Sequence, residues 1–325
     1  MLALNASLAP TVVPMLRNSL SKLEYFVWPT TYFDDHLWFV LAWLRVHEVT
    51  GDDAYRAMAQ RVLDGVLAYN PWGAGLCGGM LWNNGSTTTN AITNGLLWQA
   101  TTRLALLDPV GYARYGALAD QVYTWLLHKP NPLFTGTVFL DTLENCSAVT
   151  NTSELWTYNQ GIMLGAMHFY ARLRPRHRLH LAGLYRAVAR TTLAVFGDTS
   201  CDGLATGVLL ERDCSPTDGC DHDATQFKGV TIRHLAYSLD MLAPVFPSAQ
   251  AAFSLFYNQT VALRHCDAVP APGAPGTPSA LLFGPDWRCL TTTVWQSVSQ
   301  GAALDAFNAA SLAMHQFADR FQKEE

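Results

Sequence analysis

The chain has 325 residues, with 21 Lys and Arg against 26 Asp and Glu, a net charge of −5 and no block of like charge. Half of the residues are hydrophobic and 14 % are charged, against roughly 25 % in an average soluble domain. This balance excludes a nucleic-acid-binding protein, which needs a basic face to neutralise phosphates. Ten Trp, twelve Tyr and fifteen Phe exclude a disordered chain. No apolar run approaches the ~18 residues of a membrane span, so we expect no transmembrane segment.

Apolar residues recur with helical spacing along almost the whole chain. The predicted helices cover 11–27, 34–49, 52–69, 90–107, 111–128, 156–173, 178–196, 225–243, 248–263 and 294–321. They form pairs that recur about every 55–70 residues, and each pair has a first helix rich in aromatic and amide residues and a second that is amphipathic. A helical pair that cannot bury its apolar face alone must stack on its neighbours.

Long loops precede the first helix of each pair, so they share one edge of the stack. These loops cover 71–89, 129–155, 197–223 and 264–293, with short β-pairings expected over 137–140 and 206–210. Long loops on one face of a closed scaffold collect binding residues. We therefore predict an all-α toroid of helical hairpins that forms one catalytic domain over residues 1–325.

Seven cysteines accompany five N-x-Ser/Thr sites, a combination that favours an oxidising secretory route. The sites begin at Asn5, Asn84, Asn145, Asn151 and Asn258. Cys214 with Cys220 and Cys266 with Cys289 are plausible disulfides, while structural zinc is disfavoured because there is no C-x-x-C pair. We expect a secreted or wall-associated protein, although the chain begins with no signal peptide.

Two adjacent carboxylates, Asp34 and Asp35, open the helix predicted over 34–49. Acidic residues are favoured at the N-cap and in the first turn, so capping is one interpretation. The other is a catalytic pair, because adjacent Cα atoms about 3.8 Å apart allow the carboxyl separation of about 5–5.5 Å found in retaining glycosidases. Phe33 and Trp38 would then give one carboxyl apolar surroundings and raise its pKa, as a general acid requires.

Further polar and aromatic clusters open other first helices of the pairs. Asn90 and Asn94 are spaced i and i+4, the segment 156–161 reads WTYNQG, and Phe227 and Lys228 follow in the next pair. Aromatic rings with amides and few charges suit a neutral sugar better than a phosphate or a peptide. The acidic residues near position 220 lack the spacing of a calcium loop, so we predict no metal site.

At these motifs the sequence resembles glycoside hydrolase family 76, the endo-α-1,6-mannanases and related fungal wall enzymes. The matching stretches, in order, are YFDDHLWFVLAWLRVHEVTGDDAY, CGGMLWN, NAITNGLLWQATTRLA, WTYNQGIMLGA, FKGVTIRHL and QGAALDAFNA. The resemblance implies an (α/α)6 barrel and retaining catalysis, with Asp34 as nucleophile and Asp35 as general acid/base. It implies no metal or cofactor, and α-1,6-mannan or a mannooligosaccharide as the ligand. We expect the chain to act as a monomer.

The resemblance also implies a substrate groove and a disulfide between Cys77 and Cys146 beside it. With Trp38, the groove residues are Trp82, Asn90, Asn94, Trp156, Tyr158, Asn159, Gln160 and Lys228.

The chain departs from the family pattern in two ways. Only 33 residues precede Asp34, so we expect the first helical hairpin of the barrel to be missing. Met80 replaces the usual third glycine of a CGGG run and is expected to narrow a subsite. Two alternatives to hydrolysis stay open: transglycosylation that links mannan-bearing glycoproteins to the cell wall, and an inactive, truncated mannan-binding module.

Overall fold

The computed structural model of the chain describes residues 9–23, 32–108, 110–128, 131–148, 155–198, 207–212, 222–270, 281–285, 287 and 297–324. Its helices are α1 (Ala9–Leu23), α2 (Phe33–Thr50), α3 (Asp53–Tyr69), α4 (Ala91–Leu107), α5 (Tyr112–Leu127), α6 (Thr157–Leu173), α7 (Arg178–Phe196), α8 (Ala224–Tyr237), α9 (Leu239–Leu242), α10 (Ala249–Ala262) and α11 (Ser297–Glu324). Each helix predicted from the apolar periodicity is present, except that 225–243 is divided into α8 and α9.

The division between α8 and α9 has a local cause at Ser238. Its backbone leaves the helical region, with φ −111° and ψ 29°. Its buried hydroxyl donates to the His234 carbonyl over 2.8 Å and lies 2.6 Å from the Tyr185 hydroxyl. The apolar pattern continues across the break because Leu239 and Leu242 are buried as well.

Short antiparallel strands connect some of the helices. They are β1 (Thr89–Asn90), β2 (Thr142–Glu144), β3 (Ser147–Ala148), β4 (Gly197–Asp198), β5 (Val208–Leu209), β6 (Ala268–Pro270) and β7 (Leu281–Phe283). They form a three-stranded sheet in the order β1-β2-β3 and the pairs β4-β5 and β6-β7. The pairings expected near 137–140 and 206–210 are confirmed by the bridge between Phe134 and Phe139 and by β5.

The chain forms two compact units. The first contains α1 to α5, β1 to β3 and the stretch of α6 and α7 from Ala166 to Leu181. Within it α2 packs against α3 and α4, and α4 packs against α5. The second contains the start of α6 up to Gly165, α7 from Ala182 and the later elements, with α11 packed against α8 and α10.

Helix α4 is buried on all sides, since every residue from Ala91 to Ala105 is buried. Helices α3 and α5 each bury one face and expose the other, which is the pattern of outer helices. The interior of the first unit is therefore partly polar, because Thr93, Asn94 and Gln99 lie on α4 without solvent exposure.

Within the described ranges, no helix combines the length and the apolarity needed to cross a membrane. The same ranges hold no group of three or more His, Cys, Asp or Glu side chains that could bind a metal ion. The expected Cys214–Cys220 pairing lies outside the described residues, as does Cys289, and the side chain of Cys266 is also outside them.

Candidate active site

The segment 71–89 lies against the start of α2. The Phe33 amide donates to the Trp82 carbonyl over 2.9 Å, and Tyr32 forms an antiparallel bridge with Asn83. The rings of Tyr32 and Trp82 lie 5.0 Å apart. These contacts place the indole of Trp82 beside the first turn of α2.

Asp34 is the carboxylate that Trp82 contacts. Its Oδ2 accepts a hydrogen bond from the indole N–H over 3.2 Å, and its Oδ1 is buried with no hydrogen-bond partner among the described residues. Burial, and then the charge of Asp35, raise the pKa of Asp34 from 3.8 to about 7, against the Trp82 donor, which lowers it. Asp35 itself is exposed. A shielded carboxyl that holds a proton near neutrality beside an exposed one is typical of acid–base sites.

Asp34 and Asp35 lie in the first turn of α2, where acidic residues are favourable, but neither of them is its N-cap. The N-cap of α2 is Tyr32, and its side chain makes no capping hydrogen bond. The chain has a second pair of adjacent aspartates, Asp52 and Asp53, in which one residue does cap a helix. Asp52 is the N-cap of α3 and accepts a hydrogen bond from a first-turn amide over 3.0 Å.

Asn94 fixes the backbone of the segment that carries Trp82. Its Oδ1 accepts from the Met80 amide over 2.8 Å, and its Nδ2 donates to the carbonyls of Met80 and Asn90 over 3.1 and 2.8 Å. Asn90 is the N-cap of α4 and accepts from the Thr93 amide over 3.2 Å. The side chain of Met80 is fully buried, so the expectation that it narrows a subsite is wrong.

The same segment is also held from the side of α5 and β2–β3. A disulfide joins Cys77 to Cys146, as the family resemblance implies. Trp125 Nε1 donates to the Cys77 carbonyl over 3.0 Å. The position of Trp82 therefore depends on a covalent link as well as on Asn94.

Partly exposed aromatic rings surround the first turn of α2. Trp82 is 36 % exposed and Tyr32 is 41 % exposed, while Trp38 is half-buried one helical turn after Asp34. These rings offer apolar surface to a ligand that reaches the carboxyl pair. Tyr32 was missed as a site residue, although it stands in the motif that begins at that position.

In the second unit, aromatic residues cluster where α6 begins. The rings of Tyr158 and Phe227 stack 3.8 Å apart with an angle of 6°, and Trp156 meets Phe227 edge-on at 5.6 Å. All three rings are half-buried. Phe227, which carries this cluster, was not among the predicted site residues.

Glu211 fixes the first residue of α6 and was also missed by the sequence analysis. This carboxylate is buried and accepts hydrogen bonds from the Thr157 amide, over 3.1 Å, and from the Thr157 hydroxyl. A negative charge at a helix N-terminus is favourable. The aromatic motif on α6 is thus oriented from a residue 54 positions away.

The polar residues predicted beside this cluster are Asn159, Gln160 and Lys228, and all three are buried. Lys228 Nζ donates to the Pro285 carbonyl over 2.5 Å and lies 5.1 Å from the centre of the Trp287 ring. These two contacts of Lys228 are with a backbone carbonyl and an indole, and its role towards substrate stays a prediction.

The family model described as glycosyl hydrolase family 76 matches residues 21–322. The chain belongs to glycoside hydrolase family 76. A putative mannan endo-1,6-α-mannosidase of Schizosaccharomyces pombe is 30 % identical over 221 residues, covering 61 % of this chain and 44 % of the relative. Mannan endo-1,6-α-mannosidase DCW1 of Saccharomyces cerevisiae is 28 % identical over 184 residues, covering 53 % and 37 %. The chain thus spans less than half the length of these curated relatives.

Solved structures of the family share the fold. An inactive variant of the α-1,6-mannanase GH76A of Salegentibacter sp. HEL1_6, with two consecutive aspartates replaced by asparagine and bound to α-1,6-mannotriose, superimposes with a TM-score of 0.67 at 20 % identity. The match covers 88 % of this chain and 77 % of that one. Dfg5 from Chaetomium thermophilum, in complex with glucosamine, gives 0.60 at 18 % identity over 88 % and 69 %. The predicted α/α-barrel fold class is confirmed.

Proposed function

We propose that this protein is a retaining glycoside hydrolase that cleaves α-1,6-mannosidic bonds within mannan backbones. The observation that carries the proposal is the pair at the start of α2: Asp34 is shielded and bound by Trp82, its pKa is raised to about 7, and Asp35 beside it is exposed. The names of the relatives support the substrate, and the inactive variant of the Salegentibacter enzyme, changed at two consecutive aspartates, supports the pair.

In the proposed reaction, Asp34 attacks the anomeric carbon while Asp35 protonates the departing glycosidic oxygen. Asp35 then removes a proton from water, which attacks the mannosyl–Asp34 ester and releases a sugar of unchanged configuration. The pair needs one proton at the outset, and the raised pKa of Asp34 supplies it near neutrality.

That proton must pass to Asp35 before the attack. The Trp82 N–H stabilises the ionised form of Asp34 and so favours this transfer. The transfer turns a protonated, shielded carboxyl into a nucleophile and gives its neighbour the acid role.

Chemical rescue tests both the reaction and the two roles. With an activated α-mannoside and azide, the Asp34→Gly chain should form a β-mannosyl azide, because azide replaces the nucleophile. The Asp35→Gly chain should form the α-azide, because the ester intermediate still forms. The opposite pattern would exchange the roles, and an early product of inverted configuration from the unchanged protein would contradict the retaining mechanism.

Product analysis tests the bond that is cleaved and the acceptor. From debranched α-1,6-mannan the protein should release a ladder of short mannooligosaccharides, as an endo-acting enzyme does. Addition of an acceptor oligosaccharide tests the transglycosylase alternative. If transfer products dominate and little free reducing sugar is released, the protein is a transglycosylase and not a hydrolase. Binding of mannan without either product would favour the binding-module alternative.

We also propose that the protein acts outside the cell or in the cell wall. The disulfide between Cys77 and Cys146 supports an oxidising compartment, because such bonds are rare in the cytosol. The five N-x-Ser/Thr sites of the sequence support the same route.

A further inference from the structure

A groove of about 570 Å³ lies in the first unit between the segment 71–80 and helix α5. Two indoles line it, Trp72 and Trp125, whose rings stand 5.8 Å apart at 88°. Both side chains are half-buried. The groove therefore has two apolar walls at right angles. Its volume lies within the size range of small-ligand sites.

Glycine lets the segment 71–80 pack closely against Trp125. Gly78 and Gly79 have φ +77° and +74°, a region that favours glycine. A Cβ on Gly78 would stand 2.9 Å from Trp125 Nε1, and a Cβ on Gly79 would stand 2.9 Å from both Trp125 and Asn94 Oδ1. The segment thus passes between α4 and α5, with the groove on the α5 side and the Asn94 contacts on the other.

Exposed polar side chains complete the groove without adding an unpaired negative charge. Gln121 and Thr124 on α5, and His128 directly after it, are exposed and line the groove. The carboxylate in the lining is Asp120, which Arg174 binds through two hydrogen bonds of 2.9 and 3.0 Å. This combination suits an uncharged, hydroxyl-rich ligand, because indoles pack on apolar C–H faces and an amide and a hydroxyl meet ligand hydroxyls.

We propose that this groove is a second carbohydrate-binding site, which holds a pyranose segment of the mannan chain apart from the carboxyl pair. The inference rests on the proposed function for the identity of the sugar. The site lets the protein stay attached to a polymer while the bond at Asp34 and Asp35 is cleaved, so it matters for long substrates and not for short ones.

The test compares a long and a short ligand in two variants that change the groove differently. Trp72→Ala removes one wall, and Thr124→Arg fills the groove from an exposed helical position without removing a core contact. In the Asp34→Asn background, which prevents turnover, each should weaken binding to debranched α-1,6-mannan about tenfold, the scale of a lost aromatic packing contact. In the otherwise unchanged protein, each should raise KM for mannan and leave kcat/KM for mannotetraose unchanged.

Tyr257→Ala, which removes an aromatic side chain 51 % exposed on α10, is the matched control and should change neither value. Mannan binding equal to that of the parent in both groove variants would overturn the proposal. So would an equal loss of kcat on mannan and mannotetraose, since that effect would act through the Trp82 segment. If mannan is cleaved but the groove variants bind normally, only this inference fails; if the Asp34→Asn chain binds neither ligand, the proposed function fails as well.

Discussion

Replacing Asp34 by asparagine is expected to stabilise the folded protein by an amount that grows with pH. The carboxyl has a pKa of about 7 in the fold against an ordinary 3.8. The folded state therefore binds the proton more tightly than the unfolded state, and stability falls as pH rises between these two values. The full difference between the two pKa values corresponds to about 4 kcal/mol in the free energy of unfolding. Partial exposure of the side chain reduces this to about 2–4 kcal/mol. Asparagine, which is neutral, does not carry this cost.

Urea unfolding of both chains at pH 4, 6 and 8 measures the effect. Near pH 4 the protonated carboxyl resembles an amide, so the two free energies of unfolding should be similar. At pH 8 the Asp34→Asn chain should be more stable by about 2–4 kcal/mol. A gain in stability together with a loss of activity is expected when a catalytic carboxyl is replaced, because active sites trade stability for reactivity.

Asp53→Asn is the matched control, since Asp53 opens α3 but is 73 % exposed and pairs with Arg56. Its change should stay within about 1 kcal/mol at every pH, as for exposed ion pairs. A difference between Asp34→Asn and the parent that is the same at pH 4 and pH 8 would refute the reasoning. A less stable asparagine variant at pH 8 would do the same.

Other changes around the site have expected outcomes of their own. Trp82→Phe removes the donor to Asp34, so the pKa of that carboxyl rises further; the alkaline limb of the pH–rate profile, which follows loss of the proton held by Asp34, should move to higher pH with about tenfold lower kcat/KM, and an unmoved limb would contradict the contact. Gly79→Ala should cost about 1–3 kcal/mol in thermal melts because φ is +74°, whereas Gly183→Ala, exposed in α7 with open space around it, should gain up to about 1 kcal/mol. Glu211→Gln should cost about 1–3 kcal/mol by weakening the acceptor at the start of α6, and an unchanged melting temperature would count against that role.

The helices could be predicted because the chain repeats one simple pattern. Outer helices such as α3 bury one face, and this produces the period seen in the sequence. The break at Ser238 was not predicted, since Leu239 and Leu242 continue the apolar pattern through it. A hydroxyl bonded to the His234 carbonyl and close to Tyr185 depends on the tertiary structure, which a local pattern does not contain.

The carboxyl pair could be found from its motif, but its electrostatics could not. Asp34 and Asp52 each belong to an adjacent pair near a helix start, and the sequence alone allows capping for both. The structure separates them because the segment 71–89 brings Trp82 to one pair and not to the other. Glu211 and the buried side chain of Met80 likewise depend on loops whose paths carry no periodic signal.

The most direct test of the account uses the two aspartate pairs of the same chain. Reducing-sugar release from debranched α-1,6-mannan is measured for the parent, for Asp34→Asn with Asp35→Asn, and for Asp52→Asn with Asp53→Asn, all shown to be folded. The account predicts that the change on α2 abolishes release and that the change on α3 leaves it within a few-fold of the parent. Equal activity in the α2 variant, or equal loss in both, would contradict the assignment of catalysis to Asp34 and Asp35.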